Sequence, residues 1–243
     1  MGPRGKMISR LQYLFKRCGE VIRYNGLMVL LWQLLQRGVQ RFGGFDLVTF
    51  FIKDLSQPIN EVKKPANLAI TIATESDIEP LFELLRDQHK TWEFSRMQEY
   101  KDLVLSRFQR GCLCFLGKIG QEIIHYNWIS FHWERSWGGR FMHLKNDEAY
   151  CLDGFTSDKW RGKGIHPAVH YQMLHYLQQR GYLKAYTIAN TDNRSSKKTH
   201  KLFDWSTLGI IFCFTPRGAS KGWILTLKGD LANFLKEQIP NVS

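Results

Sequence analysis

Apolar residues in the first forty positions recur at helical spacing. Ile8, Leu11, Phe15, Cys18 and Ile22 lie 3, 4, 3 and 4 apart, which puts them on one face of a helix. Arg10, Lys16, Arg17 and Arg23 fall largely off that face. Asn25-Gly26 breaks the pattern. A second helix is predicted from Leu27 to about Arg41, with Leu27, Leu30, Leu31, Leu34 and Leu35 apolar and Gly43-Gly44 as its stop. Residues 47–52 read as a buried strand, and 57–65 as a polar connection. From Leu68 the pattern becomes an alternation of elements. Strands are predicted over 68–74, 112–117, 122–132, 149–156, 183–189, 208–214 and 223–227. Helices are predicted over 81–88, with Ser76 or Asp77 as cap, and over 99–110, 167–180 and 195–202. Pro167 suits the first turn of its helix and Gly181 its end. The order is strand, two helices, three strands, helix, strand, helix, strands. That order predicts an α/β fold, with a mixed sheet flanked by helices in one domain over 67–243. Residues 1–66 form a basic amphipathic helical extension plus one strand.

Composition bounds the possibilities. The chain has 243 residues and is 44% hydrophobic, enough for a core that needs no covalent staples. Five cysteines, an odd and mostly dispersed set, argue against a disulfide framework and for a reducing, cytoplasmic setting. Cys112 and Cys114 read as one face of a buried strand rather than as metal ligands. The longest apolar run, 27–35, is interrupted by Gln33 and falls short of the ~20 residues a bilayer span needs. The net charge is +12, of which +7 lies in residues 1–66, where 11 Lys and Arg face 4 Asp and Glu. This favours an anionic partner. The extension has three readings: packing on the main domain, lying peripherally on an anionic inner membrane face, or forming a homodimer. Its cations are not interleaved with a nucleic-acid reading motif, so no nucleic-acid partner is expected.

The most informative stretch is Lys159-Trp160-Arg161-Gly162-Lys163-Gly164-Ile165-His166-Pro167, at a junction between a strand and a helix. Glycines permit a tight turn that brings amides close to a ligand. The helix adds about half a positive charge at its N-terminus. Two glycines and two cations at that place read as a phosphate cradle.

With its element order, this loop resembles the GNAT superfamily of N-acyltransferases. The family signature is Arg or Gln, two residues, Gly, one residue, then Gly or Ala. Arg161 and Gly164 match, and His166 stands where a small residue is usual. A second pattern has Asn after the next strand, a small residue three later and Tyr seven later. Asn193 and Ser196 match, and His200 stands in the Tyr position. The resemblance covers about residues 68–228.

The resemblance implies a GNAT-like sheet with splayed fourth and fifth strands. It also implies transfer of an acyl group, acetyl as the first expectation, from acetyl-CoA or another acyl-CoA to an amine of a small-molecule, sugar or lipid-linked acceptor. Arg161, Gly162, Lys163, Gly164, Ile165 and His166 would meet the pyrophosphate. The backbone of Gly154, Phe155 and Thr156 would meet the pantetheine arm and the thioester carbonyl. Asn193, Ser196 and Lys198, with Lys197, are further cofactor candidates. An amine is mostly protonated at neutral pH, so a base must take a proton. Asp153 and Glu148 are the candidates, and Asp153 is nearer the expected thioester. Strict alternation puts Glu148, Tyr150, Leu152, Gly154 and Thr156 on one face and Cys151, Asp153 and Phe155 on the other, unless a bulge shifts the parity. Pairing with a nearby cation is the alternative role for each carboxylate. His200 would donate a proton to the leaving thiolate, or else be an ordinary helix histidine. His166 and His170 have helix-ligand spacing but no acidic third ligand, so no metal is expected. His125, His132 and His143 lie in an aromatic region that reads as core or as one wall of an acceptor pocket. Two other functions remain open: long-chain acyl transfer from an acyl carrier protein, and a non-catalytic, membrane-associated adaptor.

Overall fold

A computed structural model describes residues 43–88, 94–135, 141–191, 193–219 and 223–228. The two helices predicted before residue 42, and with them the membrane and dimer readings, lie outside the described residues. The side chains of 133–141 lie outside them too. The elements are strand β1 (Gly43–Asp54), β2 (Leu68–Ile72), helix α1 (Ile78–Gln88), α2 (Phe94–Gln109), β3 (Leu113–Ile119) and β4 (Glu122–Ser130). They continue with β5 (Trp133–Arg135), β6 (Phe141–His143), β7 (Glu148–Thr156), α3 (Ile165–Gln179), β8 (Lys184–Asn190), α4 (Arg194–Leu202), β9 (Ser206–Pro216) and β10 (Trp223–Lys228). Among the described residues no helix is long and apolar enough to cross a membrane.

Local chemistry sets several boundaries. A single 3-10 turn, Glu75–Asp77, precedes α1. The turn is capped by Thr74, two residues before Ser76 and three before Asp77, the positions that the sequence pattern favours. The Thr74 amide and hydroxyl both donate to Asp77 Oδ2, each at 3.0 Å. Helix α1 buries Leu81, Phe82, Leu84 and Leu85. Each such side chain contributes about 1.5–3 kcal/mol on leaving water. Helix α4 starts at Asn193, whose Oδ1 accepts from the Ser196 amide at 3.1 Å.

Eight strands form one sheet in the order β10-β9-β1-β8-β7-β4-β3-β2, and β5 and β6 form a separate pair. Only β7 and β8 run parallel, joined by the α3 crossover. β1 belongs by sequence to the N-terminal segment, yet it lies inside the sheet, antiparallel to both β8 and β9. The reason is its unbroken apolar run. Val48 and Phe50 pack on one face with Tyr186 and Ile211, while Phe51 and nearby Leu55 pack on the other with α3. A strand apolar on both faces is stable only where both are covered.

The core has two main layers. On one side of the sheet Val169, Met173, Leu174 and Leu177 of α3, with Phe203 and Trp205, cover Phe51, Phe115, Ile129 and Cys151. On the other, α1 and Val104 of α2 cover Cys114, Leu116, Tyr126, Trp128 and Phe155. Cys112 and Cys114 are both buried in this second layer.

Candidate functional site

The glycine loop leaves the end of β7 through a 3-10 turn, Asp158–Trp160, and enters α3 at Gly164. Gly162 and Gly164 hold φ of +76° and +77°, the left-handed region that disfavours side chains. Gly164 is the N-cap of α3, and the first turn carries no acidic residue. The helix therefore presents the amides of Ile165 and His166 and an uncompensated positive end. Arg161 is drawn back over the strand it follows. Its Nε donates to the Thr156 carbonyl at 3.1 Å, and its guanidinium lies 5.4 Å from the Phe155 ring. Lys163 Nζ lies 4.4 Å over the Trp160 ring. Lys159, by contrast, is paired with Glu122 at 2.6 Å. The loop is thus exposed and cationic, with the Arg161 charge in an exposed pair with Asp158 at 3.0 Å, which fits a pyrophosphate.

Beside it the sheet comes apart. β7 pairs with β8 only from Glu148–Lys184 to Cys151–Thr187, although β7 runs on to Thr156 and β8 to Asn190. β8 turns instead to β1, which it follows to the Val48–Asn190 rung. The outer half of β7 keeps β4 on its other side as far as the His125–Thr156 rung. Its β8-facing edge, residues 152–156, thus has amides and carbonyls that β8 does not use. A flexible arm bearing amides fits that edge.

The register of β4 against β7 shifts between Tyr126–Phe155 and Trp128–Leu152, so that Asp153 and Gly154 both oppose Asn127. This bulge corrects the strict alternation. Phe155 shares a core layer with Tyr126 and Trp128, while Cys151 belongs to the opposite layer. Asp153 sits at the bulge with φ +52°. Its Oδ2 accepts from Arg107 Nη1 at 2.6 Å and from the Tyr100 hydroxyl. Burial first, and then the Asp153 charge, push the Tyr100 phenol far above its ordinary range. Glu148 lies at the paired end of β7. It is 1% exposed and accepts from Tyr186 Oη at 2.8 Å and from the Lys145 amide at 3.0 Å. The structure therefore brings Asp153, but not Glu148, to the opening, and gives both carboxylates partners.

Residues 78–205 match the model of the acetyltransferase (GNAT) family. The chain belongs to the GNAT acetyltransferase family. Among solved structures it is similar to a functionally unknown conserved protein of Staphylococcus epidermidis (TM-score 0.54, 8% identity, 74% of this chain and 64% of that one). It is also similar to a GCN5-related N-acetyltransferase of Sphaerobacter thermophilus (TM-score 0.52, 11% identity, 74% of this chain and 55% of that one). At these identities the likeness shows the fold. The chain spans less than two thirds of either neighbour's length. No curated protein matches the sequence. The opening between β7 and β8 is thus the splay of a GNAT sheet, and the loop its signature.

His166, the departure from the GNAT signature, is accommodated inward. Its ring lies 5.3 Å from that of His125 and 5.6 Å from that of His170, beneath the start of α3. The bulk that would crowd a phosphate is taken up under the helix instead. His200, in the GNAT Tyr position, is 5% exposed, with its ring 4.4 Å from Phe51 and 5.6 Å from Trp205. Burial pushes both His166 and His200 down to about 4, the latter helped by neighbouring His166. At neutral pH each is a neutral imidazole, an N–H donor rather than a cation.

Lys198 is exposed on α4, and Lys197 is half-buried. His132 and His143 are exposed and away from this cluster. Tyr100 and Arg107 were not singled out from sequence. The available signal was Arg107 on the apolar stripe of α2, in helical register with Tyr100 and buried Val104.

Proposed function

We propose that this protein is an acyl-coenzyme A-dependent N-acyltransferase that moves an acetyl group to the amine of a small-molecule, sugar or lipid-linked acceptor. One observation carries the reading. A parallel strand pair stops at Cys151–Thr187 while both strands continue, beside an open cationic loop with two left-handed glycines. The donor supplies an activated thioester. Arg161, Gly162, Lys163, Gly164, Ile165 and the His166 amide would hold its pyrophosphate. The free edge at Phe155 and Thr156 would hold its arm. Lys198, Asn193 and Ser196 at the start of α4 lie on the β8 side of the opening, with Lys198 available to an outer phosphate.

The reaction needs a proton taken from the amine and one delivered to sulfur. Asp153, tied to Arg107 and Tyr100, fixes the bulge that shapes the free edge. Glu148 anchors the paired end of β7. The amine's proton then leaves through water at the open edge, and His200 serves the sulfur.

A thermal-shift series with coenzyme A and acetyl-CoA, followed by thiol release with a panel of amines, tests this reading. Stabilisation by both nucleotides and amine-dependent thiol release are expected. No stabilisation at millimolar coenzyme A would reject it. Stabilisation without release for any acetyl, longer acyl or carrier-linked donor would favour a binding role.

A further inference from the structure

Four imidazoles are packed in series on the α3 side of the sheet. The ring of His125 on β4 lies 5.3 Å from His166, His166 lies 5.6 Å from His170, and His170 lies 6.3 Å from His200 on α4. His125, His170 and His200 are 0%, 2% and 5% exposed. One end of the series is fixed to β7, because His125 Nδ1 is 2.8 Å from Thr156 Oγ1. The other end stacks on Phe51, which is in register with Thr187, the last residue of β8 paired to β7. The series therefore runs from the glycine-loop side of the opening to its closed side.

Its nitrogens are mostly unclaimed. His125 Nε2, both ring nitrogens of His170 and His200 Nδ1 are buried without a hydrogen-bond partner among the described residues. An orphaned buried donor or acceptor is costly, and such groups are ordinarily satisfied by ordered water. Bare apolar packing does not account for three histidines of one series with orphaned buried nitrogens. A metal does not account for them either: no group of three His, Cys, Asp or Glu among the described residues could hold one. The groups facing His170 are His166 on its own helix, His125 on β4, His200 on α4, and the rings of Phe203 and Trp205. A neutral imidazole has one donor and one acceptor nitrogen, so imidazoles joined by single waters make an unbroken donor–acceptor chain.

We propose that His125, His166, His170 and His200, joined by buried water, form a proton relay under the β7–β8 opening, with His170 as its connecting residue. The proposal rests on the acyl-transfer reading above. In the reaction the amine nitrogen bonds to the acyl carbon, the carbon–sulfur bond breaks, and its electron pair leaves on sulfur. His200 gives its ring proton to that sulfur and takes one at its other nitrogen from the His170 side. His170 is refilled through His166, which is half-buried beneath the start of α3. The amine's proton goes to solvent and one solvent proton reaches sulfur, so His166, His170 and His200 end neutral with their tautomers exchanged, and His125 anchors the series to Thr156. His170 touches no substrate and acts through His200.

The test uses the full chain with 15N-labelled histidine. Ring-nitrogen NMR is expected to show four neutral rings of defined tautomer from pH 7.5 to 5. His170→Phe keeps the ring's shape and removes its nitrogens, and it should shift the His200 and His125 signals together. In single-turnover thiol release from acetyl-CoA, the same variant should lower the rate about 100-fold with an unchanged coenzyme A Kd. It should also reduce a multi-proton solvent isotope effect toward a single-proton one. His170→Ala, with imidazole added to fill the cavity, should recover rate, whereas furan, which lacks the relayed N–H, should recover thermal stability only. Four rings that titrate independently near pH 6.5, or a His170→Phe chain of unchanged rate, would overturn the relay. Loss of coenzyme A binding in the wild type would remove the acyl-transfer reading, with the NMR coupling unaffected.

Discussion

Arg107 Nη1 donates to Asp153 Oδ2 across 2.6 Å, from a buried position on α2 to a β7 residue held at φ +52°. The pair joins the helix that covers one sheet face to the bulge at which β7 turns its edge toward the opening. A non-glycine residue in that backbone region carries strain on the order of 1 kcal/mol or more. The ion pair and the Tyr100 hydroxyl offset it.

Removing one partner should therefore cost more than removing both. Asp153→Ala removes a carboxylate from the Arg107 guanidinium, whose side chain is 6% exposed, and should destabilise the chain by about 3 kcal/mol. The Arg107→Met, Asp153→Ala double variant should lose less than the sum of the single changes. Urea unfolding of the four proteins checks this. Additive losses would show that the pair is not coupled.

At Gly164 the constraint is the backbone. A Cβ there would meet only Pro65 Cγ, at 4.0 Å, but φ is +77°. Gly164→Ala should cost about 1 kcal/mol of stability through that strain alone. It should also weaken coenzyme A by about tenfold or more, because relief of that strain shifts the backbone that presents the amides of Ile165 and His166. Urea unfolding of the variant measures the first and calorimetric titration with coenzyme A the second.

Arg161 is exposed; its contact with the Phe155 ring is a weak surface one, and its pair with Asp158 is exposed on both sides and worth little. Arg161→Glu should thus leave the melting temperature of the free protein within about a degree or two. Its affinity for coenzyme A should fall roughly 10–100-fold, as expected on losing a charge-assisted phosphate contact. Unchanged affinity in an isothermal titration would remove the loop from the site.

Acid should weaken the fold through the histidine series. In the folded chain burial holds His125, His166, His170 and His200 below the ordinary imidazole range, with His166 and His200 near 4. In the unfolded chain the same groups titrate near about 6.5. Above that pH both states are neutral and the full stability is present. Between about 6.5 and 4 the unfolded chain binds protons that the folded chain refuses, so stability falls as pH falls. Melting temperatures from pH 8 to 4.5 should decline across this window, and His170→Phe should flatten the decline. A flat wild-type profile would contradict the burial of these rings as neutral groups.

Much of the site was legible in the chain because its parts are local. The glycine loop is contiguous, and the positive φ at Gly162 and Gly164 is a property that only glycine supplies cheaply. Asn193 caps a helix through an amide three residues on. Other parts were not legible because they depend on register. One extra residue in β7 moved Phe155 to the layer opposite Cys151, and no local pattern announces that residue. The partners of Asp153 come from Tyr100 and Arg107, some fifty residues earlier, and only the packing of α2 on the sheet brings them there.

By itself the sequence determined the order of elements from Leu68 onward apart from the β5–β6 pair, the start and end of α3 at Pro167 and Gly181, and the loop that marks the family, because hydrophobic period and turn chemistry act over a few residues. The tertiary structure alone decided three things. It set the N-terminal strand β1 between β8 and β9, since an apolar run buried on both faces finds cover only inside a sheet. It ended the β7–β8 pairing at Cys151–Thr187. It also brought histidines from β4, α3 and α4 into one series, because contact between distant segments is fixed by how the layers pack.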